Sequence, residues 1–286
     1  MRRFLFLMLL VASTSHASLR QYAAKVESST WQLAPPNRLE CSLQHSLPGY
    51  GTAMFTSYAS KRLNMEFELD MLRLPKTYGV ASVYSVPPKW MPGEMHRNIA
   101  DMKIRKQFNG DLPESAAWTM LSELEKGYWP TVYYQDWYNP SDMVSVALNA
   151  ANFASPYEEF VNCVANLLPF GFEDIAYTVL TYKKNSTELT KGSKKKLDMI
   201  GDYLKEDSEL ELVLLDGYSD SIGGRWKNQQ MSLQRAEEVK SYFAQLGVES
   251  DRIDVTGHGE RRHASPNSNP RDRAKNRRVV IRMERP

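Results

Sequence analysis

Two hydrophobic periods alternate along residues 176–283, and this alternation restricts the fold more than any other feature of the sequence. Residues 176–182 read as a strand. Residues 194–204 read as a helix, with Leu197, Ile200 and Leu204 on its inner face and Ser193 as the expected N-cap. Residues 210–215 are a continuous apolar strand apart from Glu211. Residues 229–246 carry Leu233, Ala236, Val239, Phe243 and Leu246 at helical spacing, and Gly247 closes the run. A short strand follows at 253–256. The last strand, 278–283, sets Val279, Ile281 and Met283 on one face. Strands alternating with helices predict an α/β sandwich with its helices on one face of a sheet.

The preceding half has a different texture. Residues 50–59 and 63–72 are extended runs joined by the polar turn 59–62, which predicts a hairpin. In the second run Leu63, Met65, Phe67, Leu69 and Met71 alternate with Asn64, Glu66, Glu68 and Asp70, so one sheet face is apolar. Residues 78–86 form a third strand, stopped by Pro87 and Pro88. Helices are expected at 115–126, ended by Gly127, and at 157–168, where Phe160, Val161, Val164 and Leu168 share a face. Tyr128-Trp129, Tyr133-Tyr134 and Trp137-Tyr138 form an aromatic cluster that reads either as sheet core or as a docking surface. The boundary between the halves falls near 169–174, giving domains at 18–172 and 173–286.

The first residues point to export. Arg2 and Arg3 precede a short apolar run at 4–11, and Ser15-His16-Ala17 has the small-x-small form cut by signal peptidase, so 1–17 is expected to be a cleaved signal with Ser18 as the first mature residue. No later stretch is apolar for the 18 residues that a spanning helix needs. Two cysteines, Cys41 and Cys163, remain in an exported chain, and their even number predicts one disulfide. Between 18 and 176 there are 13 basic and 17 acidic groups, against 21 and 17 from 177 onward, so the C-terminal half leans toward anionic partners. Outside the cytoplasm nucleic acid is an improbable partner, whereas the anionic cell wall fits. No chemistry of an enzyme is evident. His45, His96, His258 and His263 lack metal spacing, there is no GxSxG or Walker loop, and the adjacent Glu158 and Glu159 would point about 100° apart on a helix. No catalytic residue, metal site or cofactor is expected.

Four motifs carry the site. Gly217-Tyr218-Ser219-Asp220 ends a strand, with Asn228 beyond it. Met231-Ser232-Leu233-Gln234-Arg235-Ala236 lies in the next helix, then Gly257-His258-Gly259-Glu260, then Asn276-Arg277-Arg278-Val279. In order and spacing they resemble the OmpA C-terminal family pattern, with Tyr218 in place of the usual His and Met231 in place of Leu. Asp220 at a strand exit and Arg235 on the following helix converge on one pocket. Such a pair makes a salt bridge or grips a zwitterion, Asp on an ammonium and Arg forking onto a carboxylate. The resemblance implies the latter, the zwitterion being the diaminopimelate of the peptidoglycan stem peptide, with Asn185, Asn228 and Arg278 in supporting places. His258 reads as a turn or packing residue. Lys194-Lys195-Lys196 reads as a solvated helix face, and Arg261, Arg262, Arg271 and Arg273 flank a polar loop at 263–270 that adds nonspecific attraction to the wall.

Over its whole length the chain resembles the MotY family of flagellar motor proteins. The carrying residues are Trp31-Gln32 leading to Leu39-Glu40-Cys41, Pro48-Gly49-Tyr50-Gly51 entering a strand, the second cysteine before the boundary, and the OmpA-like end. This resemblance implies an α+β protein, an N-terminal β-rich domain followed by a C-terminal OmpA-like α/β sandwich. It also implies a periplasmic place on the flagellar basal body in the T ring with MotX, where the PomA/PomB stator is recruited. Two other readings compete: a general envelope anchor with no flagellar role, and an eight-stranded outer-membrane barrel in the N-terminal half, against which the helices and paired cysteines argue.

Overall fold

A computed structural model describes residues 18–183, 186–207 and 212–284, with the side chain of Leu212 excepted. The expected signal segment and part of the expected strand at 210–215 lie outside the described residues. The chain divides into two compact units. The first comprises residues up to Pro36, Cys41–Ser57 and Asn64–Val164, and the second comprises Asn37–Glu40, Tyr58–Leu63 and the chain from Ala165 onward.

Among the described residues the first unit has ten strands and two α-helices: β1 (Leu19–Ala23), β2 (Trp31–Leu33), β3 (Glu40–Leu47), β4 (Gly51–Tyr58), β5 (Glu66–Met71), β6 (Gly79–Val86), β7 (Arg97–Ile104), β8 (Gly110–Leu112), α1 (Glu114–Glu125), β9 (Trp129–Gln135), β10 (Met143–Ala147) and α2 (Ala154–Ala165). The strands form two open five-stranded sheets, ordered β1-β10-β9-β6-β7 and β2-β3-β4-β5-β8, and not the closed ring of a barrel. The hairpin expected at 50–72 is the antiparallel pair of β4 and β5. Along β5 the pattern alternates as the sequence requires, Phe67, Leu69 and Met71 buried and Glu66, Glu68 and Asp70 exposed. In α2, however, only Phe160 is buried and Val161 lies 46% exposed, so this helix covers the core with a narrower stripe than its spacing suggested. Of the aromatic cluster, Tyr134 is core and donates to Tyr50 across 3.1 Å, while Tyr138 stays exposed.

Cys41 and Cys163 are joined in a disulfide, with Cα atoms 6.0 Å apart. His45 is wholly buried, stacked on Trp31, with its Nδ1 on the Thr30 carbonyl at 2.9 Å. Burial lowers its pKa, so it is a neutral packing residue.

The second unit contains α3 (Phe172–Ile175), β11 (Tyr177–Thr181), α4 (Lys191–Glu206), β12 (Leu212–Tyr218), α5 (Arg225–Gln245), β13 (Ile253–Gly257), α6 (Pro270–Asn276) and β14 (Arg278–Glu284). Its sheet runs β11-β14-β12-β13, with β12 and β13 parallel and the other pairs antiparallel. Val213 and Leu215 of β12 and Val279, Ile281 and Met283 of β14 face a core closed by Leu197, Ile200 and Leu204 of α4 and Ala236, Val239 and Phe243 of α5. This is the expected α/β sandwich, and the chain as a whole is of the α+β class. Two short segments from earlier in the chain complete the unit. Ala59 donates to the Leu39 carbonyl and joins the core, Leu168 donates to Arg38, and Lys61 pairs with Asp174. The first long helix begins a turn earlier than expected. Thr190, not Ser193, is its N-cap, and the Thr190 side chain accepts from the Ser193 amide.

Candidate ligand-binding site

Close backbone contact creates the site. A Cβ on Gly217 would sit 2.0 Å from the Ser232 carbonyl oxygen, and one on Gly257 would sit 2.9 Å from Leu233. Only glycine at these two motif positions lets α5 lie directly on β12 and β13. The contact is then locked by polar groups from three motifs. The His258 amide donates to the Gly217 carbonyl, Ser219 to Gly259, and the Gly259 amide to the Ser232 hydroxyl. Gln229 donates to the Gly257 carbonyl at 2.6 Å, and Asn228 donates to Glu260 at 2.8 Å.

The docked helix brings Arg235 to the end of β12. Its side chain is 2% exposed. Nη1 donates to the Tyr218 carbonyl at 3.3 Å, Nη2 to the Ser186 carbonyl at 3.0 Å, and the guanidinium lies 4.9 Å from the centre of the Tyr182 ring. Among the described residues it makes no direct ion pair, and its Nε has no hydrogen-bond partner. Burial lowers its pKa from the ordinary value; Tyr182 and Asp220 oppose that shift, and Arg277 adds to it.

Asp220 is also buried, but its direct partner is Arg277. Arg277 Nη1 donates to Oδ2 at 2.8 Å, and the Ile222 amide donates to Oδ1 at 3.0 Å. The buried Arg277 also has an unpartnered Nε. The alternative of a direct Asp220–Arg235 salt bridge is therefore not what the structure contains. Two guanidinium groups and one carboxylate converge instead, an arrangement with a surplus positive charge. It has chemistry for a carboxylate at Arg235 and an ammonium at Asp220.

The other expected site residues are placed as follows. Asn228 is buried in the first turn of α5 and donates to Glu260, tying the helix start to the turn that follows β13. Asn185 lies outside the described residues, next to Ser186, whose carbonyl holds Arg235. Arg278 turns the other way: its guanidinium lies 3.9 Å from the centre of the Tyr218 ring, and it donates to the Arg262 carbonyl at 2.9 Å. Its neighbour Arg277 is the residue that reaches Asp220. The signal was present in the sequence, because Val279, Ile281 and Met283 face the helices and period two sends Arg278 to the opposite face. His258 packs on Tyr218 and bonds Asp216 at 2.7 Å, a fixed turn residue. Among the described residues no group of His, Cys, Asp or Glu could hold a metal ion, and no helix is long and apolar enough to cross a membrane.

Comparison with known proteins matches both units. Residues 22–169 fit the MotY N-terminal domain and residues 181–277 fit the OmpA family. The chain is 43% identical over 277 residues to the sodium-type flagellar protein MotY of Vibrio parahaemolyticus, covering 96% of this chain and 94% of that one. Over 85 residues the chain is 38% identical to the peptidoglycan-binding protein ArfA of Mycobacterium tuberculosis, covering 30% of this chain and 26% of that one. It is 33% identical over 104 residues to the probable lipoprotein YiaD of Escherichia coli, covering 36% and 47%. With the N-terminal domain model matched across the β-rich half and a relative aligned nearly end to end, the chain belongs to the MotY family.

Proposed function

We propose that this protein is a non-enzymatic, periplasmic component of the flagellar motor that fixes the stator to peptidoglycan. In this reading the C-terminal unit holds the diaminopimelate of a stem peptide. Arg235 takes a carboxylate, Asp220 takes the ammonium, and Arg277 sets the geometry of Asp220. Asn228 and Asn185 support the loops on either side. The observation that carries the reading is Arg235 itself. A guanidinium 2% exposed that hydrogen-bonds, among the described residues, to neutral carbonyls and makes no direct ion pair is a buried charge that Asp220 reaches only through space. A ligand carboxylate supplies a direct counter-charge. The N-terminal unit then belongs to the T ring with MotX and recruits PomA/PomB, so that the stator pushes against the wall.

Co-sedimentation of the mature chain with purified sacculi tests the site. Asp220→Ala and Arg235→Ala should each lose binding while keeping the native circular dichroism; unchanged binding would refute the assignment. A clean deletion strain tests the motor role. Intact but paralysed flagella are expected, whereas normal swimming with a blebbing envelope would leave only the general anchor.

A further inference from the structure

The sheet of the C-terminal unit has a second face, away from α4 and α5, and it is not an ordinary solvated surface. Register fixes what lies there. Thr181, Arg278 and Tyr218 form one row across β11, β14 and β12. Val179, Val280 and Asp216 form the next, and Tyr177 and Arg282 lie in the third. Together with Arg262 and Lys275 from the 261–276 segment they enclose a cleft of about 450 Å³. Val280, 7% exposed, lies on its floor, and Tyr177, 66% exposed, stands at one end.

The charge of this cleft is one-sided. Arg262, Lys275, Arg278 and Arg282 line it, against a single carboxylate, Asp216. That carboxylate is occupied on both oxygens, by His258 at 2.7 Å and by Arg282 at 2.5 Å. Tyr218 is likewise used, clasped between the Arg278 guanidinium and the His258 ring. Asp216 is thus neutralised within the cleft, and the four cations around the apolar floor exceed its carboxylates by three. Arg278, Val280 and Arg282 are successive residues on one face of a single strand. The Cα atoms of Arg278 and Arg282 are therefore spaced by about 13 Å, four residues at roughly 3.3 Å each. An extended peptide has the same repeat, so acidic side chains at its first and fifth positions and an apolar one at its third match this row in charge, polarity and spacing.

We propose that this open sheet face is a docking cleft for an extended acidic segment of a protein partner, of the form acidic–x–apolar–x–acidic. It is distinct from the Arg235 pocket, because the consecutive residues Arg277 and Arg278 point to opposite sides of the sheet, and it does not depend on what that pocket binds.

The test uses the full mature chain and a fluorescently labelled peptide, Gly-Glu-Ser-Val-Ser-Glu-Gly, with the Gln-for-Glu peptide as control, read by anisotropy at low salt. The Glu peptide should bind at least about tenfold more tightly than the control, and Arg282→Glu should weaken it by about tenfold or more. Lys275→Glu is an independent variant, since Lys275 is exposed and only weakly paired to Asp272 at 3.5 Å. It should weaken the peptide in the same direction. Sacculus binding should survive both variants. Equal affinity for the two peptides, or peptide binding unaffected by both variants, would overturn the proposal. So would displacement of the peptide by phosphatidylglycerol vesicles or by sacculi, which would assign the cleft to a lipid or wall polyanion.

Discussion

Replacing Arg235 by Met separates a ligand-binding arginine from a structural one, because the two roles predict opposite balances of stability and binding. Among the described residues the side chain gives two hydrogen bonds, at 3.3 and 3.0 Å, to neutral carbonyls. At these lengths each contributes toward the low end of the range for a charged donor, about 1.5 kcal/mol, so truncation loses about 3 kcal/mol. Against this stands the desolvation of a guanidinium 2% exposed and, among the described residues, without a direct ion pair, an effective cost of several kcal/mol that Met does not incur. The two terms cancel to within about 2 kcal/mol. At roughly 4 °C per kcal/mol for a unit of this size, the calorimetric transition of the C-terminal unit should move by less than about 8 °C in either direction. Had Arg235 been one half of a buried ion pair, its loss would cost about 3–5 kcal/mol and lower the transition by about 12–20 °C. Calorimetry and sacculus co-sedimentation on the same sample decide the matter. A small shift with lost binding is expected. A large drop in the transition with sacculus binding retained would refute the reasoning.

Two further outcomes follow from the N-terminal unit. The disulfide joins residues separated by 122 positions, so Cys41→Ser with Cys163→Ser should destabilise that unit by about 5 kcal/mol in the chain-entropy model, measured as a lower urea midpoint for its transition alone. Glu123 is buried, which by itself raises its pKa, but donors from Lys126, Ser85 and Arg97 outweigh burial and hold the carboxyl below its ordinary value of 4.5. A carboxylate depressed in the folded state contributes stability above its unfolded pKa and loses that contribution as pH falls. Glu123→Gln should therefore lower the unit's stability at neutral pH and flatten its decline below about pH 4.5; urea midpoints across the acid range that stay parallel to the parent would show the argument wrong.

Much of the C-terminal unit was legible because its elements repeat apolar residues at a clean period. The faces of β14 and α4 follow directly from Val279, Ile281 and Met283 and from Leu197, Ile200 and Leu204. What escaped had no such period. Helix α6 carries no apolar stripe and begins at the last residue of the polar loop read at 263–270; its signals are Asn269, whose side chain accepts from the Asp272 amide, and Pro270 in the first turn. Strands β9 and β10 were hidden because β9 lies between β10 and β6 and is largely buried, so residues such as Thr131 and Val132 are both inside and the alternation is lost. The segments 37–40 and 58–63 join the second unit through contacts far away in sequence, and local pattern has no access to those.

The site shows a related division between what a motif says and what each residue in it does. Gly217, Gly257 and Ser232 are backbone-contact residues: they fix how closely α5 approaches the sheet and touch no ligand in the proposed reading. Asp220, Arg235 and Arg277 carry the charge. Substituting the first group changes the distance between helix and sheet and therefore moves Arg235 away from the Tyr218 carbonyl, so loss of binding there is inseparable from loss of fold. The second group lies outside that backbone contact, although Asp220 and Arg277 are halves of one buried ion pair and each costs stability when removed alone. The same logic explains why consecutive arginines are not equivalent. Arg277 precedes β14 and is free to turn to Asp220, whereas Arg278 is the first residue in the ladder, opposite Tyr218, and is committed by the pleat to the other face. In the proposed readings, a variant series across Arg277 and Arg278 therefore separates two surfaces: wall binding through the first residue and the open cleft through the second.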